Sequence, residues 1–264
     1  MNTYLSRINL PTVDSTNTFV REMLAEESSG SVVSASSLPG FTLVVADNQT
    51  AGRGQKGNTW ETEKGKNLIF SLLCHPDMVK ASEQFVLLQC MAIAVRDALA
   101  KVADGVKVKW PNDIYVGEKK ISGTLIECDL KGKSIANCII GVGININQTV
   151  FSSNVPNPTS LRLLTGKDID RETVLADILE SFQLYYGWVS QGRSEDVRKL
   201  YMQHLYRREG MHPYSDVRGD FMAEIADVEP TGHLLLRFET GQVVRYEFKD
   251  VRFLPEKEAE SSSL

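Results

Sequence analysis

Cysteine is scarce in this chain: four in 264 residues, with no C-x-x-C pair among them. Nothing here reads as a disulfide framework or a thiolate metal site. Cys74, Cys90, Cys128 and Cys138 each lie in an apolar run and read as buried free thiols in a reducing, cytoplasmic setting. Histidine is equally sparse. His75, His204, His212 and His233 are scattered without metal-ligand spacing. No apolar stretch is long enough to cross a bilayer, and Met1 to Arg7 lacks the basic-then-apolar order of a secretion signal. An excess of positive charge is missing too. The net charge is −5 and the isoelectric point about 5.5, so bulk electrostatics favour neither nucleic acid nor an anionic membrane. No internal repeat is visible.

What remains is an ordinary globular composition, 42% hydrophobic and 24% charged, on a chain sized for one large domain, or one large and one small. Asp14-Ser15-Thr16-Asn17 reads as a helix start, followed by Phe19, Val20, Met23 and Leu24 at helical spacing. Ser28 to Gly40 reads as a loop. Strands are predicted over 41–46 and 67–74, a long helix over 82–102, and strands over 106–110, 113–116, 121–130 and 134–146. Helical periodicity returns over 170–189 and 195–205. After about Gly210 the character changes to short β-prone runs, 221–228, 233–238 and 243–248, separated by Pro230-Thr231-Gly232 and Thr240-Gly241. This predicts a larger α/β unit over 1–208, a small antiparallel barrel or sheet over 209–256, and a disordered polar tail over 257–264.

The segment Gln49-Thr50-Ala51-Gly52-Arg53-Gly54-Gln55-Lys56-Gly57-Asn58-Thr59-Trp60 concentrates glycine, cation and amide after an apolar strand. Glycine lets backbone N–H groups approach an anion, and Arg53 and Lys56 add full charge. Gly52, Gly54 and Gly57 formally satisfy G-x-G-x-x-G. The residues that follow are polar and form no apolar helical face, so a dinucleotide fold is not indicated. A solvated surface loop is the bland alternative.

A second motif is Lys109-Trp110-Pro111-Asn112-Asp113. Proline in a strand-like run predicts a break that takes Asn112 and Asp113 out of regular pairing and toward a ligand; the alternative is that Asp113 only caps a turn. Lys119-Lys120-Ile121-Ser122-Gly123 follows, with Lys120 either beside a ligand or solvated at a hairpin. The third motif, Gly141-Val142-Gly143-Ile144-Asn145-Ile146-Asn147, predicts a bulge or a close backbone approach. Asn145 reads either as a purine contact or as a buried turn amide.

Together and in this order, D-S-T-N, Q-T-A-G-R-G-x-x-G, K-W-P-N-D, K-x-x-G and G-x-G-I-N-I-N closely resemble the biotin protein ligases, over Asp14 to about Asn147. The resemblance implies an α/β fold with a mixed or mostly antiparallel sheet, similar to the class II aminoacyl-tRNA synthetase core, and an SH3-like C-terminal β-barrel. It implies ATP and biotin as substrates, with Mg²⁺, and a biotin carboxyl carrier protein as acceptor. Biotin's carboxylate would attack the α-phosphate, releasing pyrophosphate. A lysine of the acceptor would then attack biotinyl-AMP.

Carried over residue by residue, the resemblance places Ser15, Thr16, Asn17, Gln49, Gly52, Arg53, Lys120 and Gly123 toward biotin. It places Arg53, Gly54, Gln55, Asn58, Trp60, Asn112, Lys120 and Asn145 toward ATP, with Trp60 packing on adenine. Arg53, Lys120 and Asp113 take the catalytic roles. No nucleophile is required, so catalysis rests on positioning and charge stabilisation.

Two departures stand out. Many members carry a second arginine where this chain has Gln55, and Lys56 offers a substitute charge. The first motif also arrives at residue 14, which predicts a ligase without the winged helix that binds DNA in some members. Association into a homodimer fits the family. The glycine-rich arginine loop favours biotin over lipoate, and a non-catalytic adaptor has no use for these paired cations. The 48–66 loop is expected to order on ligand binding and shield the adenylate from water.

Overall fold

The computed structural model describes residues 5–28, 40–55, 58–152 and 157–256. The predicted tail, Lys56 and Gly57, and most of the loop read between Ser28 and Gly40 lie outside the described residues. Strand β1 (Leu5–Leu10) leads into α1 (Thr16–Ser28), β2 (Phe41–Ala46) and β3 (Leu68–Cys74). Then come α2 (Phe85–Ala100), β4 (Val106–Lys109), β5 (Asp113–Val116), β6 (Lys119–Lys131) and β7 (Ser134–Ile144). Helices α3 (Leu161–Thr165), α4 (Arg171–Ser190) and α5 (Ser194–Gln203) precede β8 (His212–Asp216), β9 (Gly219–Val228), β10 (Leu234–Phe238), β11 (Val243–Tyr246) and β12 (Arg252–Phe253).

Seven strands form a mixed sheet in the order β1-β2-β3-β7-β6-β5-β4. Only the β1–β2 pair is parallel; the other pairs are antiparallel. Every residue of β2 and β3 is buried. Strands buried along their whole length need cover on both faces. On one face, Leu43, Leu72 and Ile140 pack into the main core with α2 and α4. On the other, Val44, Leu73 and Ile139 meet Val20 of α1. Helix α2 is apolar nearly all round because it is enclosed between the sheet and α4.

The second sheet is antiparallel, in the order β11-β10-β9-β8-β12. Aromatic side chains bind it together: Phe221 stacks on Phe238 with centroids 4.7 Å apart, and Tyr214 meets Phe253 edge-on. It docks on the larger unit through Trp110, whose Nε1 donates to Gly232 O at 2.9 Å. Gly232 has φ +92° and lies so close to the Phe85 ring that a Cβ would overlap it.

Several boundaries differ from the sequence reading. The long helix starts at Phe85, because Ala81–Glu83 forms a separate 3₁₀ turn. Strands β1, β8 and β12 and the short α3 add to the elements read from sequence. Asp113 was expected outside regular pairing. It opens β5 instead, opposite Lys109 on one side and Gly123 on the other. The break at Pro111 is a tight turn between β4 and β5. Among the described residues no helix is long and apolar enough to cross a membrane.

Candidate active site

A pocket opens on the α1 side of the large sheet, at the N-terminus of that helix. Ser15, Thr16 and Asn17 form one wall, and Ile69, Gly123, Leu125, Gly141 and Gly143 lie along the sheet beside it. It is a cleft, part of it open to solvent. Two glycines keep the floor clear. A Cβ on Gly141 would overlap the Asn17 side-chain amide, and one on Gly143 would overlap the Trp60 indole. The close approach predicted for this motif is therefore present, and no bulge produces it: Gly141 stays in register with Leu125, and Gly143 with Gly123.

The polar wall is a connected chain of hydrogen bonds. A helix start leaves backbone N–H groups without partners. Here Gln49 Oε1 accepts from Thr16 N at 2.8 Å and from Thr16 Oγ1 at 3.1 Å. This fixes Gln49 against α1. Ser71 Oγ lies 2.7 Å from Thr16 Oγ1 and 2.6 Å from Asn17 Oδ1. Ser15, Thr16, Asn17 and Ser71 are all buried, so the linked polar groups of Thr16, Asn17 and Ser71 are held rigidly by one another.

Two cations enter the pocket from different elements. Lys120 comes from β6, and its Nζ lies 2.7 Å from Asp113 Oδ1 and 6.0 Å from the centroid of Trp60. Arg53 comes from the glycine-rich loop, and its Nη2 lies 2.9 Å from Glu127 Oε1. The described residues on either side of that loop pair with each other. Arg53 bridges Thr59, Gly54 N donates to Asn58 O at 2.7 Å, and Trp60 N donates to Gly52 O at 2.9 Å. The N–H of Gly54 is thus engaged within the loop. Gly52 is required because a Cβ there would overlap Trp60 O.

Of the residues predicted from sequence, Ser15, Thr16, Asn17, Gln49, Arg53, Gly54, Gln55, Asn58, Trp60, Asn112, Asp113, Lys120 and Gly123 all line this one pocket. Gly52 and Asn145 do not. Asn145 is the buried turn amide of the alternative reading. Its Nδ2 donates to Thr159 O at 3.0 Å and its Oδ1 faces Asn67 Nδ2 at 3.4 Å. Lys109 also points elsewhere. Its Nζ reaches Tyr115 Oη at 3.1 Å and lies 4.4 Å from that ring's centroid, and burial lowers its pKa.

Sequence reasoning missed Ser71, Glu127 and Phe248. Ser71 is a lone hydroxyl in an apolar strand, a signal for a satisfied buried polar group. Glu127 continues the alternation Gly123, Leu125, Glu127 on the pocket side of β6. Phe248 comes from the small C-terminal unit, lines the pocket and meets Trp110 edge-on at 6.0 Å. No local pattern marks it.

The mixed α/β fold thus carries one pocket that brings together a rigid polar wall, a glycine-rich loop and two cations. Residues 10–145 match the biotin/lipoate A/B protein ligase family, and the chain belongs to that family. It is 32% identical to the bifunctional ligase/repressor BirA of Bacillus spizizenii over 209 residues, which cover 77% of this chain and 63% of that protein. The chain thus spans less than two thirds of that relative's length. It is 28% identical to the biotin–[acetyl-CoA-carboxylase] ligase of Paracoccus denitrificans, covering 66% of this chain and 74% of that one. Among solved structures it is similar to the biotin protein ligase from Aquifex aeolicus in complex with biotin and ATP. The TM-score is 0.73 at 26% identity, over 94% of this chain and 99% of that one.

Proposed function

We propose that this chain activates biotin with ATP to biotinyl-AMP and transfers the biotinyl group to a lysine of a biotin carboxyl carrier protein. The observation that carries the reading is the convergence of Arg53 and Lys120 on one pocket with the Ser15-Thr16-Gln49 wall and the Trp60 ring. The likeness to the Aquifex enzyme, which holds biotin and ATP, supports it.

In the first step two anions must meet. A carboxylate oxygen of biotin forms a bond to the α-phosphorus, the bond to the β-phosphate oxygen breaks, and pyrophosphate leaves. Arg53 and Lys120 offset the repulsion and the charge that builds on the phosphate. The ureido ring of biotin has N–H donors and a carbonyl acceptor, which the wall of hydroxyls and amides can satisfy. A donor or acceptor left unpaired in such a site costs about 1–3 kcal/mol. Trp60 offers a face for adenine, with Asn58, Gln55 and Asn112 around it.

In the second step the acceptor's amine attacks the acyl carbon, AMP leaves and the amine loses a proton. Asp113 stands beside Lys120 as a partner for that amine. As the lining carboxylate of the pocket, it would also hold Mg²⁺ together with the ATP phosphates, the usual mode for this ion, which supplies further charge neutralisation.

The larger unit resembles the class II synthetase core in this reading and the second sheet an SH3-like barrel, with a boundary near residue 208. A homodimer, a cytoplasmic location and the absence of nucleic-acid binding belong to the same proposal. The net charge of −5 supports the last of these. The test is ATP–pyrophosphate exchange by the purified chain with biotin or lipoate. Exchange that depends on biotin supports the proposal; exchange that depends on lipoate alone overturns it.

A further inference from the structure

Glu127 belongs to none of the sequence motifs, yet its carboxylate joins two of them. Oε1 lies 2.9 Å from Arg53 Nη2, while Oε2 accepts from Asn17 Nδ2 at 2.8 Å and lies 3.5 Å from Arg53 Nη1. We propose that Glu127 is a positioning residue for Arg53: it holds one edge of the guanidinium against the pocket wall and leaves the other edge open to a substrate anion. The inference rests on reading this pocket as the site where biotin and ATP react.

The carboxylate is itself anchored from the core. Asn17 is 3% exposed and its Oδ1 accepts from the buried Ser71. Gly141 leaves the space that the Asn17 amide occupies. One end of the chain of contacts is therefore rigid. The other end is not: the Arg53 side chain is 46% exposed and sits on a loop. A long side chain in that setting has rotamer freedom that a ligand must otherwise remove. A guanidinium has five N–H groups in a fixed fork. Glu127 occupies two of them, so the arginine remains competent to bind a carboxylate or phosphate.

A simple loop tether would use the same contact, and the two roles are separable. Glu127→Gln keeps an oxygen for Asn17 but presents an NH₂ group to Arg53. Glu127→Asp keeps the charge with a shorter reach. Biotin-dependent pyrophosphate exchange is measured for the wild-type chain, both single variants, Arg53→Ala and the double variant Arg53→Ala/Glu127→Gln. The expected result is about a tenfold fall in kcat/KM for biotin in Glu127→Gln, the order of one charge-assisted hydrogen bond. Glu127→Asp is expected to recover part of the loss, and Glu127→Gln is expected to have no further effect once the Arg53 side chain is removed. Equal losses with and without the Arg53 side chain, or wild-type kinetics in Glu127→Gln, overturn the inference and leave the functional reading intact. A wild-type chain without biotin-dependent exchange overturns both.

Discussion

Lys120 Nζ stands 2.7 Å from Asp113 Oδ1, with the two side chains 27% and 24% exposed. The ammonium that the proposed mechanism places at the reacting phosphate therefore stands beside a carboxylate. Lys120→Ala removes the cation and leaves Asp113 unpaired in the pocket. Its kcat in biotin-dependent exchange is expected to fall by about 100-fold or more, the order seen when one stabilising donor is lost. Lys120→Arg keeps the charge but not the compact ammonium, and is expected to recover only part of the rate. Exchange at the wild-type rate in Lys120→Ala contradicts the role.

The two floor glycines separate stability from binding. Gly141→Ala drives a methyl into the Asn17 amide and the buried network behind it. Overpacking of this kind costs about 1–3 kcal/mol, read as a lower urea midpoint. Gly143→Ala presses on the Trp60 indole instead. Its KM for ATP is expected to rise about tenfold, the order of one aromatic stacking contact. Biotin binding should change less. An unchanged KM for ATP removes Trp60 from the nucleotide side.

Gln55 lines the pocket, at the position where the sequence resemblance implies a second arginine in many members. A neutral amide holds a phosphate less tightly than a guanidinium. Gln55→Arg is expected to slow the release of free biotinyl-AMP, measured by chromatography of the filtrate after a single turnover. Equal release from both proteins contradicts this.

Asp216 gives a pH signature in the small sheet. Hydrogen bonds from Arg218 first, and from Tyr246, hold its carboxyl down at about 2, below the usual aspartate value of about 3.9. The folded-state pKa is the lower one, so the stabilisation is complete above the unfolded value and disappears as pH falls toward the folded one. Asp216→Asn should be less stable than wild type at neutral pH in urea titrations, and the gap should close as pH falls through that window. A gap that stays constant contradicts the assignment.

Much of the fold was legible because its strands and helices carry strong local signals. The apolar runs of β2, β3 and β7 and the periodicity of α2 and α4 declare themselves within a dozen residues. Strand β8 does not: Pro213 argues against a strand. It is tolerated because the donor it lacks is supplied by Arg207, whose Nη2 donates to Leu254 O at 2.7 Å, while Leu254 N donates to Pro213 O. The residues that line the candidate pocket were also largely legible, since glycine, cation and amide cluster in short motifs. Glu127 was not, because its partners Asn17 and Arg53 lie 110 and 74 residues away. Asn145, expected toward ATP, lies outside the pocket lining for a related reason. An amide's polarity is visible in sequence, but the Thr159 carbonyl that consumes it is not.

The most direct measurement is a crystal structure of the chain with biotin and a non-hydrolysable ATP analogue. The account predicts both ligands in this one pocket, with biotin's carboxylate and the α-phosphate between Arg53 and Lys120 and the adenine against Trp60. Electron density for either ligand elsewhere, with this pocket filled only by solvent, contradicts it.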